Sequence, residues 1–186
     1  MTNTIQQALA HLKAGKTILY PTDTIWGLGC DATNAKAVSE IYALKKRVES
    51  KALICLVSSL EMLKTYIEEV PEAALKFLET ATKPTTIIYN KPRLVAPNLL
   101  ARDNTLAIRI VHEGFAYELI ELFQKPIVST SANMSDYSSP KSFKEIHADI
   151  LKDVDYVVNL QNEKINTQPS TIIKLNKDGK VEVIRP

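Results

Sequence analysis

Short apolar runs alternate with amphipathic stretches along this chain, and the two patterns predict its secondary structure. Apolar residues that recur every three or four positions predict helices over 4–14, 35–46, 58–67, 71–80, 114–124 and 142–151. Continuous apolar runs predict strands over 17–20, 53–57, 85–89, 105–111, 126–128, 156–159, 170–175 and 180–184, the last two joined as a hairpin. Because strands and helices alternate and no linker or repeat divides them, we expect one α/β domain over residues 1–186 with a mixed sheet.

The composition is that of an ordinary globular protein, with 45% hydrophobic and 24% charged residues. The chain has no apolar run of about 18 residues, and its N-terminus lacks the basic segment and apolar block of a signal peptide. We therefore expect a cytoplasmic protein that does not contact membranes. The net charge of +2 does not favour bulk nucleic-acid binding, which needs a strong basic excess.

Several common catalytic motifs are absent from the sequence. It contains neither of the glycine-rich nucleotide-binding motifs, Gly-x-x-x-x-Gly-Lys-Ser/Thr and Gly-x-Gly-x-x-Gly, nor the Gly-x-Ser-x-Gly of serine hydrolases. The histidines His11, His112 and His147 are scattered, and two cysteines are too few for a zinc site or a disulfide framework. No protein-bound metal is expected.

The chain does carry hydroxyl groups and cations near the ends of predicted strands. Residues 129–135 follow an apolar run and are rich in Ser, Thr and Asn, which suits either a ligand site or an ordinary loop. Lys45-Lys46-Arg47 with Lys51 forms the densest basic cluster, which either stabilises a helix C-terminus or binds an anion. Arg109 lies in an apolar strand, where it needs a structural ion pair or an anionic ligand. Cations without a catalytic base suit anion binding or nucleotidyl transfer.

Ordered segments of the chain also match the motifs of a known family. They are the opening signature at 20–31, Lys-x-Arg at 45–47, an arginine-bearing strand at 107–110, Ser-Ala-Asn-x-Ser at 131–135, and two final segments at 169–173 and 183–185. One such segment alone is weak evidence, but their order across almost the whole chain is specific. On these residues the chain resembles the YrdC-like family, the threonylcarbamoyl-AMP synthases.

The resemblance implies both a fold and a reaction. Family members are single α/β domains whose twisted, mixed, open sheet and helices surround an electropositive cavity. They are nucleotidyltransferases that convert L-threonine, bicarbonate and ATP, with Mg²⁺, into threonylcarbamoyl-adenylate and pyrophosphate. The threonylcarbamoyl group then reaches an adenosine of tRNA, directly or through threonylcarbamoyl-transferase partner proteins.

The resemblance also implies site residues by position. For ATP they are Lys45, Arg47, Lys51, Thr105, Ser131, Asn133, Ser139 and Arg185, with Arg47 and Lys51 on the phosphates. For threonine they are Thr24, Arg109, Ser129 and Ser170. The planar fork of Arg109 suits the threonine carboxylate. No nucleophile or metal ligand is expected from the protein, because holding two anions in line and offsetting their charge can carry the reaction.

Some positions depart from the family pattern. Asp136 stands where a glycine usually follows Ser-Ala-Asn-x-Ser, Val48 replaces a proline, and Leu56 replaces a threonine-contacting histidine of longer members. Residues 82–86 lack the usual Pro-Gly-Pro turn, and the extra C-terminal domain of longer members is not expected.

Two other functions stay open at this stage. One is a YciO-like paralogue that keeps the fold but has different activity, which the intact Lys-x-Arg and Ser-Ala-Asn motifs disfavour. The other is an RNA-binding module that uses the same cavity. The near-neutral charge and the lack of interleaved aromatic residues count against RNA binding as the main role.

Overall fold

The computed structural model describes residues 2–46, 53–135, 137–159, 168–175 and 181–186. Within these ranges the α-helices are α1 (Thr2–Lys13), α2 (Ala35–Leu44), α3 (Leu60–Tyr66), α4 (Glu72–Thr80), α5 (Gly114–Phe123) and α6 (Ala148–Asp153). The strands are β1 (Ile18–Pro21), β2 (Trp26–Gly29), β3 (Ile54–Val57), β4 (Thr85–Tyr89), β5 (Leu106–Ile110), β6 (Ile127–Ser131), β7 (Tyr156–Val157), β8 (Thr171–Leu175) and β9 (Val181–Arg185). None of the helices in these ranges has the length and apolar content that crossing a membrane would need.

The strands form one nine-stranded sheet in the order β7-β1-β2-β6-β3-β5-β4-β8-β9. Three neighbouring pairs are parallel, namely β1 with β7, β3 with β5 and β4 with β8, and the others are antiparallel. The predicted α/β class with a mixed, open sheet is confirmed.

The two faces of the sheet are buried by different helices, because successive side chains along a strand point to opposite faces. Cys55, Ile108 and Val128 belong to a core cluster that includes residues of α2, α3 and α4. Leu56 and Ile127 lie on the other face, in a cluster with residues of α1 and α5. Each large apolar side chain buried in this way contributes about 1.5–3 kcal/mol. The helices α1 and α5 cover only part of their face, and the rest lines a cavity.

The sequence did not predict β2, and its two glycines explain why. Glycine lowers strand propensity, so Trp26–Gly29 does not look like a strand. In the structure a Cβ on Gly29 would lie 2.6 Å from both Cε1 of Tyr20 and the carbonyl oxygen of Val128. The glycine is therefore required by the close approach of β1, β2 and β6.

Two further predicted boundaries were wrong. The strand predicted over 126–128 continues to Ser131, so the first three residues of the hydroxyl-rich segment 129–135 are strand rather than loop. The helix predicted over 142–151 is broken into a 3₁₀ turn at Phe143–Glu145 and α6. The break occurs because His147 is extended and caps α6, its Nδ1 accepting a hydrogen bond from the Asp149 N–H at 3.2 Å.

Candidate functional site

A cavity of about 320 Å³ opens on the face of the sheet that α1 and α5 leave uncovered. The side chains at the floor of the cavity are neighbours because of the register in which the strands pair. Ser129 of β6 is paired with Ile54 of β3, Ile54 with Ala107 of β5, and Ala107 with Ile88 of β4, so these side chains form one row on one face. The middle of the row is apolar, and the polar groups lie around it.

Many of the predicted site residues meet in this cavity. Those that line it are Thr24, Arg109, Ser129, Ser131, Ser139, Ser170 and Arg185. They come from the β1–β2 turn, β5, β6, the segment after β6, and the segments at β8 and β9. Residues far apart in sequence are therefore brought together around one cavity.

Arg109 is the buried cation of the cavity, with a side chain that is 4% exposed. Its Nη2 donates to Oδ1 of Asp23 at 2.7 Å, while its Nε has no partner. Burial lowers the pKa of Arg109, and the charge of Asp23 acts in the opposite direction. An arginine remains charged in proteins, so the cavity wall holds a guanidinium with donors still to satisfy.

Asp23 reaches Arg109 because the turn between β1 and β2 folds over the sheet. The Thr22 hydroxyl organises this turn, accepting from the N–H groups of Thr24 and Ile25 at 3.1 and 3.2 Å and donating to the Ile25 carbonyl at 2.7 Å. Thr24, which is 2% exposed, is thereby placed at the cavity wall beside its partner hydroxyl on Thr22. The turn presents Asp23 to the sheet and Thr24 to the cavity.

Arg185 supplies the second cation of the cavity lining. Its Nε and Nη2 donate to the carbonyl oxygen of Ser170 at 3.1 and 2.7 Å. The Ser170 hydroxyl is 2.8 Å from that of Thr86, which fixes Ser170 in turn. Burial and the nearby charge of Arg109 lower the pKa of Arg185. Two like charges in one enclosure favour the binding of an anion.

A register shift in β9 explains how both of its last residues reach the cavity. Arg185 is paired with Ile172 and Val183 with Ile173, so Ile184 is an extra residue in β9. Such a bulge re-aims side chains, and both Ile184 and Arg185 line the cavity.

Other predicted site residues lie elsewhere or outside the described ranges. Thr105 is not among the lining residues, and its hydroxyl donates to Asp103 at 2.7 Å. Asn133 lines a smaller adjoining cavity, and Ser139 lines both. Lys45 is buried beneath the segment that ends β6. Arg47 and Lys51 lie outside the described residues, as do Val48 and Asp136.

The departures from the family pattern can be located where the structure describes them. Leu56 is paired in register with Arg109 but is fully buried in the cluster under α1 and α5. The turn before β4 is held by the Thr85 hydroxyl, which donates to the Lys83 carbonyl at 3.0 Å. The Pro84 carbonyl accepts from the Thr171 N–H at 3.1 Å, which anchors β8 without a Pro-Gly-Pro sequence.

The predicted site residues did not include Thr22 and Thr130, which line the cavity. They also did not include Asp23 and Thr86, which are bonded to Arg109 and Ser170. A buried arginine signals that a carboxylate is near, but only the fold shows which one. Among the residues that the structure describes, no three His, Cys, Asp or Glu side chains come together as metal ligands would.

The fold and the site define an α/β protein with a small cavity lined by two arginines and several hydroxyl groups. The family model described as telomere recombination, Sua5/YciO/YrdC, matches residues 10–186. The chain belongs to this family. It is 34% identical over 186 residues to the threonylcarbamoyl-AMP synthase of Pseudoalteromonas translucida, covering 96% of each protein.

Two solved structures of the family are close to this fold. Pyrococcus abyssi Sua5, solved in complex with L-threonine, gives a TM-score of 0.88 at 30% identity, and the match covers 98% of this chain and 53% of Sua5. E. coli YciO gives a TM-score of 0.86 at 25% identity, with 100% of this chain and 89% of YciO covered. The chain therefore spans about half of the archaeal protein.

Proposed function

We propose that this protein is an L-threonylcarbamoyladenylate synthase, a nucleotidyltransferase that acts on L-threonine, bicarbonate and ATP. The observation that carries the proposal is that Arg109, which is buried, and Arg185, which is half-buried, line one small cavity together with several hydroxyl groups. Such a cavity suits small anions that also carry hydrogen-bonding groups.

Threonine fits the part of the cavity around Arg109. The guanidinium can bind the carboxylate, and the hydroxyls of Thr24, Ser129 and Ser170 can bind the amino and hydroxyl groups. The Pyrococcus abyssi relative, solved with L-threonine, supports this choice of amino acid.

ATP is assigned to the neighbouring side, where Ser131 and Ser139 line the cavity. Arg185, Asn133, Thr105, Arg47 and Lys51 complete the proposed nucleotide set, and Lys45 lies against the segment that carries Ser131 and Asn133. Mg²⁺ enters with ATP and offsets phosphate charge rather than binding to protein ligands.

The proposed reaction needs no side-chain nucleophile. The threonine amine and bicarbonate form a carbamate, with loss of water, and one carbamate oxygen then attacks the α-phosphorus of ATP. The bond from that phosphorus to the bridging oxygen breaks, and pyrophosphate leaves with its electron pair. The protein holds the two anions in line and offsets their repulsion with cations.

We further propose that residues 1–186 act as one catalytic domain in the cytoplasm. Its product would be passed to tRNA, directly or through threonylcarbamoyl-transferase partner proteins. The name of the Pseudoalteromonas relative supports the synthase activity and does not refer to transfer of the product to tRNA.

The proposal is tested by incubating the protein with ATP, Mg²⁺, L-threonine and labelled bicarbonate. We expect label in threonylcarbamoyl-adenylate and one pyrophosphate per product. Omission of threonine should abolish both the labelled adenylate and the pyrophosphate. A reaction with serine in place of threonine is the matched amino acid control. Pyrophosphate release that does not depend on threonine and bicarbonate would refute the synthase.

A YciO-like function is the second candidate, because the fold match to YciO covers this whole chain. The same assay separates the two, since a paralogue without synthase activity gives no labelled adenylate. RNA binding is tested by titrating a transcribed tRNA at rising salt. No affinity at moderate salt would exclude an RNA-binding module.

A further inference from the structure

Lys45 caps the C-terminal end of α2, and its side chain is almost fully buried, at 1% exposed. It does not line the 320 Å³ cavity, and it lies instead at a smaller cavity beside Ser135. Its side chain lies against the segment 131–135, which ends β6 and contains the Ser-Ala-Asn-x-Ser motif. We refer to this segment as the nucleotide loop, a name that rests on the proposed function.

The ammonium of Lys45 is bonded to acceptors of the nucleotide loop. Its Nζ donates to the backbone carbonyls of Ser131 and Asn133, the latter at 2.6 Å, and lies 3.5 Å from Oδ1 of Asn133. An ammonium has three N–H donors, and the two carbonyls are the nearer acceptors among these three. Hydrogen bonds from a charged donor are about twice as strong as neutral ones, so they fix the loop firmly.

The backbone of Lys45 holds the same loop. Its carbonyl oxygen accepts a hydrogen bond from the Ser135 N–H at 2.9 Å. The side chain and the main chain of Lys45 therefore fix both ends of the nucleotide loop against α2. Lys45 and the Ser-Ala-Asn motif, more than 80 residues apart, are therefore bonded directly to each other.

These bonds also determine which way the loop's polar groups face. With the Asn133 oxygen turned towards Lys45, its amide nitrogen donates to the carbonyls of Met134, at 3.0 Å, and Tyr137. The Ser131 carbonyl points to Lys45 while Ser131 lines the cavity. A cation behind the loop thus sets the geometry of the residues in front of it.

We propose that Lys45 is a positioning residue, which orients Ser131 and Asn133 for the nucleotide and does not itself contact the phosphates. This revises the role that the sequence resemblance gave to Lys45. Contact with the β- or γ-phosphate predicts a larger loss of affinity for ATP than for AMP, whereas positioning predicts equal losses for the two ligands.

The test replaces Lys45 by methionine, which keeps the length of the side chain and removes its donors. The matched control is Lys36→Met, at an exposed position of the same helix. Calorimetric titration with AMP and with ATP should show affinity lower by about tenfold, as for other residues that orient binding groups, and by the same factor for both ligands. A loss for ATP that greatly exceeds the loss for AMP, or no loss at all, would overturn the proposal.

A ligand-free measurement separates this proposal from the proposed function. In ¹H–¹⁵N spectra without nucleotide, Lys45→Met should shift the Asn133 side-chain amide and the Ser135 backbone amide, and Lys36→Met should not. Unchanged Asn133 and Ser135 signals in Lys45→Met would contradict the proposal. A protein that fails the synthase assay but shows these shifts would lose the proposed function and keep the positioning role.

If Lys45→Met does not fold, the wild-type protein provides the test. A buried, hydrogen-bonded ammonium exchanges slowly enough for its ¹⁵Nζ signal to be observed. The Lys45 signal should keep its position when ATP is added to saturation. A large shift that AMP does not produce would show phosphate contact and refute positioning.

Discussion

Arg109 and Lys45 are both buried cations near a proposed ligand site, yet the fold uses them differently. Arg109 is bonded to one carboxylate, that of Asp23, and lines the cavity. Lys45 is bonded to backbone carbonyls and an amide oxygen, and lies behind the loop that lines the cavity.

The difference lies in the geometry of the two side chains and their acceptors. A guanidinium presents five donors in a plane, so one edge can be held by Asp23 while another binds a ligand. A buried ammonium surrounded by carbonyls is satisfied within the protein. A buried cation therefore marks a binding group only when the fold leaves part of its donor set facing a cavity.

The largest expected effect comes from Arg109→Ala. Removing one partner of a buried charge pair costs about 2–5 kcal/mol of binding, so threonine affinity should fall by roughly thirtyfold or more. ATP affinity should change far less, and calorimetry of each ligand measures the two effects. Arg109→Lys, which keeps the charge but not the planar fork, is the control. An equal or greater loss for ATP would mean that the two ligands have been placed wrongly.

The two glycines of β2 lie in different surroundings, Gly27 at the cavity wall and Gly29 in the packed part of the strand, so their substitutions should have different effects. Gly29→Ala would place a methyl group 2.6 Å from the Val128 carbonyl, so we expect a loss of about 1–3 kcal/mol in unfolding free energy. Gly27→Ala would place it 3.1 Å from the Ser129 hydroxyl, at the cavity wall.

We expect Gly27→Ala to fold and to raise the KM for threonine. Denaturant midpoints and threonine titrations of the two variants should show opposite rankings. The same ranking in both measurements would mean that Gly27 is structural, like Gly29.

Substitutions of Asp23 test whether Arg109 is oriented by a hydrogen bond or balanced by charge. Asp23→Ala removes the acceptor of a buried cation, and we expect it to lower stability by about 1–2 kcal/mol and to weaken threonine binding. Asp23→Asn keeps an oxygen acceptor, so it should retain most of the threonine affinity. If Asp23→Asn is as impaired as Asp23→Ala, charge rather than orientation is the contribution of Asp23.

The smallest effect concerns a carboxylate remote from the cavity. Burial acts to raise the pKa of Asp155, but hydrogen bonds from Thr17 and Lys16 outweigh it and hold that pKa below its ordinary value of 3.8. A depressed pKa in the folded state adds stability above the unfolded value, and this stability is lost as the pH falls through the folded pKa.

Asp155→Asn should therefore lower stability at neutral pH by less than about 1 kcal/mol, because the site is partly exposed. It should also flatten the dependence of stability on pH below about pH 4, the unfolded pKa of an aspartate. Urea unfolding at several pH values measures both effects. An unchanged slope in this acid range would show that Asp155 does not contribute to it.

Much of the fold follows from the local sequence pattern, and the strand that was missed depends on contacts between distant segments. The helices α1, α2 and α5 were predicted because their apolar spacing is regular. The strand β2 was missed because its glycines lower strand propensity. They are needed for close contact with β1 and β6, and the local sequence does not show that contact.

The sequence indicated which residue types belong to the candidate site, but it did not indicate which side chains contact one another there. Arg109 stands out in an apolar strand, but the identity of its partner depends on a turn folding over the sheet. Lys45 and Lys46 are adjacent in sequence, and only the end of α2 determines that Lys45 turns inward. Packing between segments distant in sequence determines these contacts, and the local pattern of apolar and polar residues does not predict that packing.

A crystal structure with L-threonine and a non-hydrolysable ATP analogue tests the contrast between Arg109 and Lys45 most directly. We expect the threonine carboxylate on the guanidinium of Arg109, and the Lys45 ammonium still on the carbonyls of Ser131 and Asn133. A phosphate bound to Lys45, or a threonine carboxylate bound away from Arg109, would contradict this account.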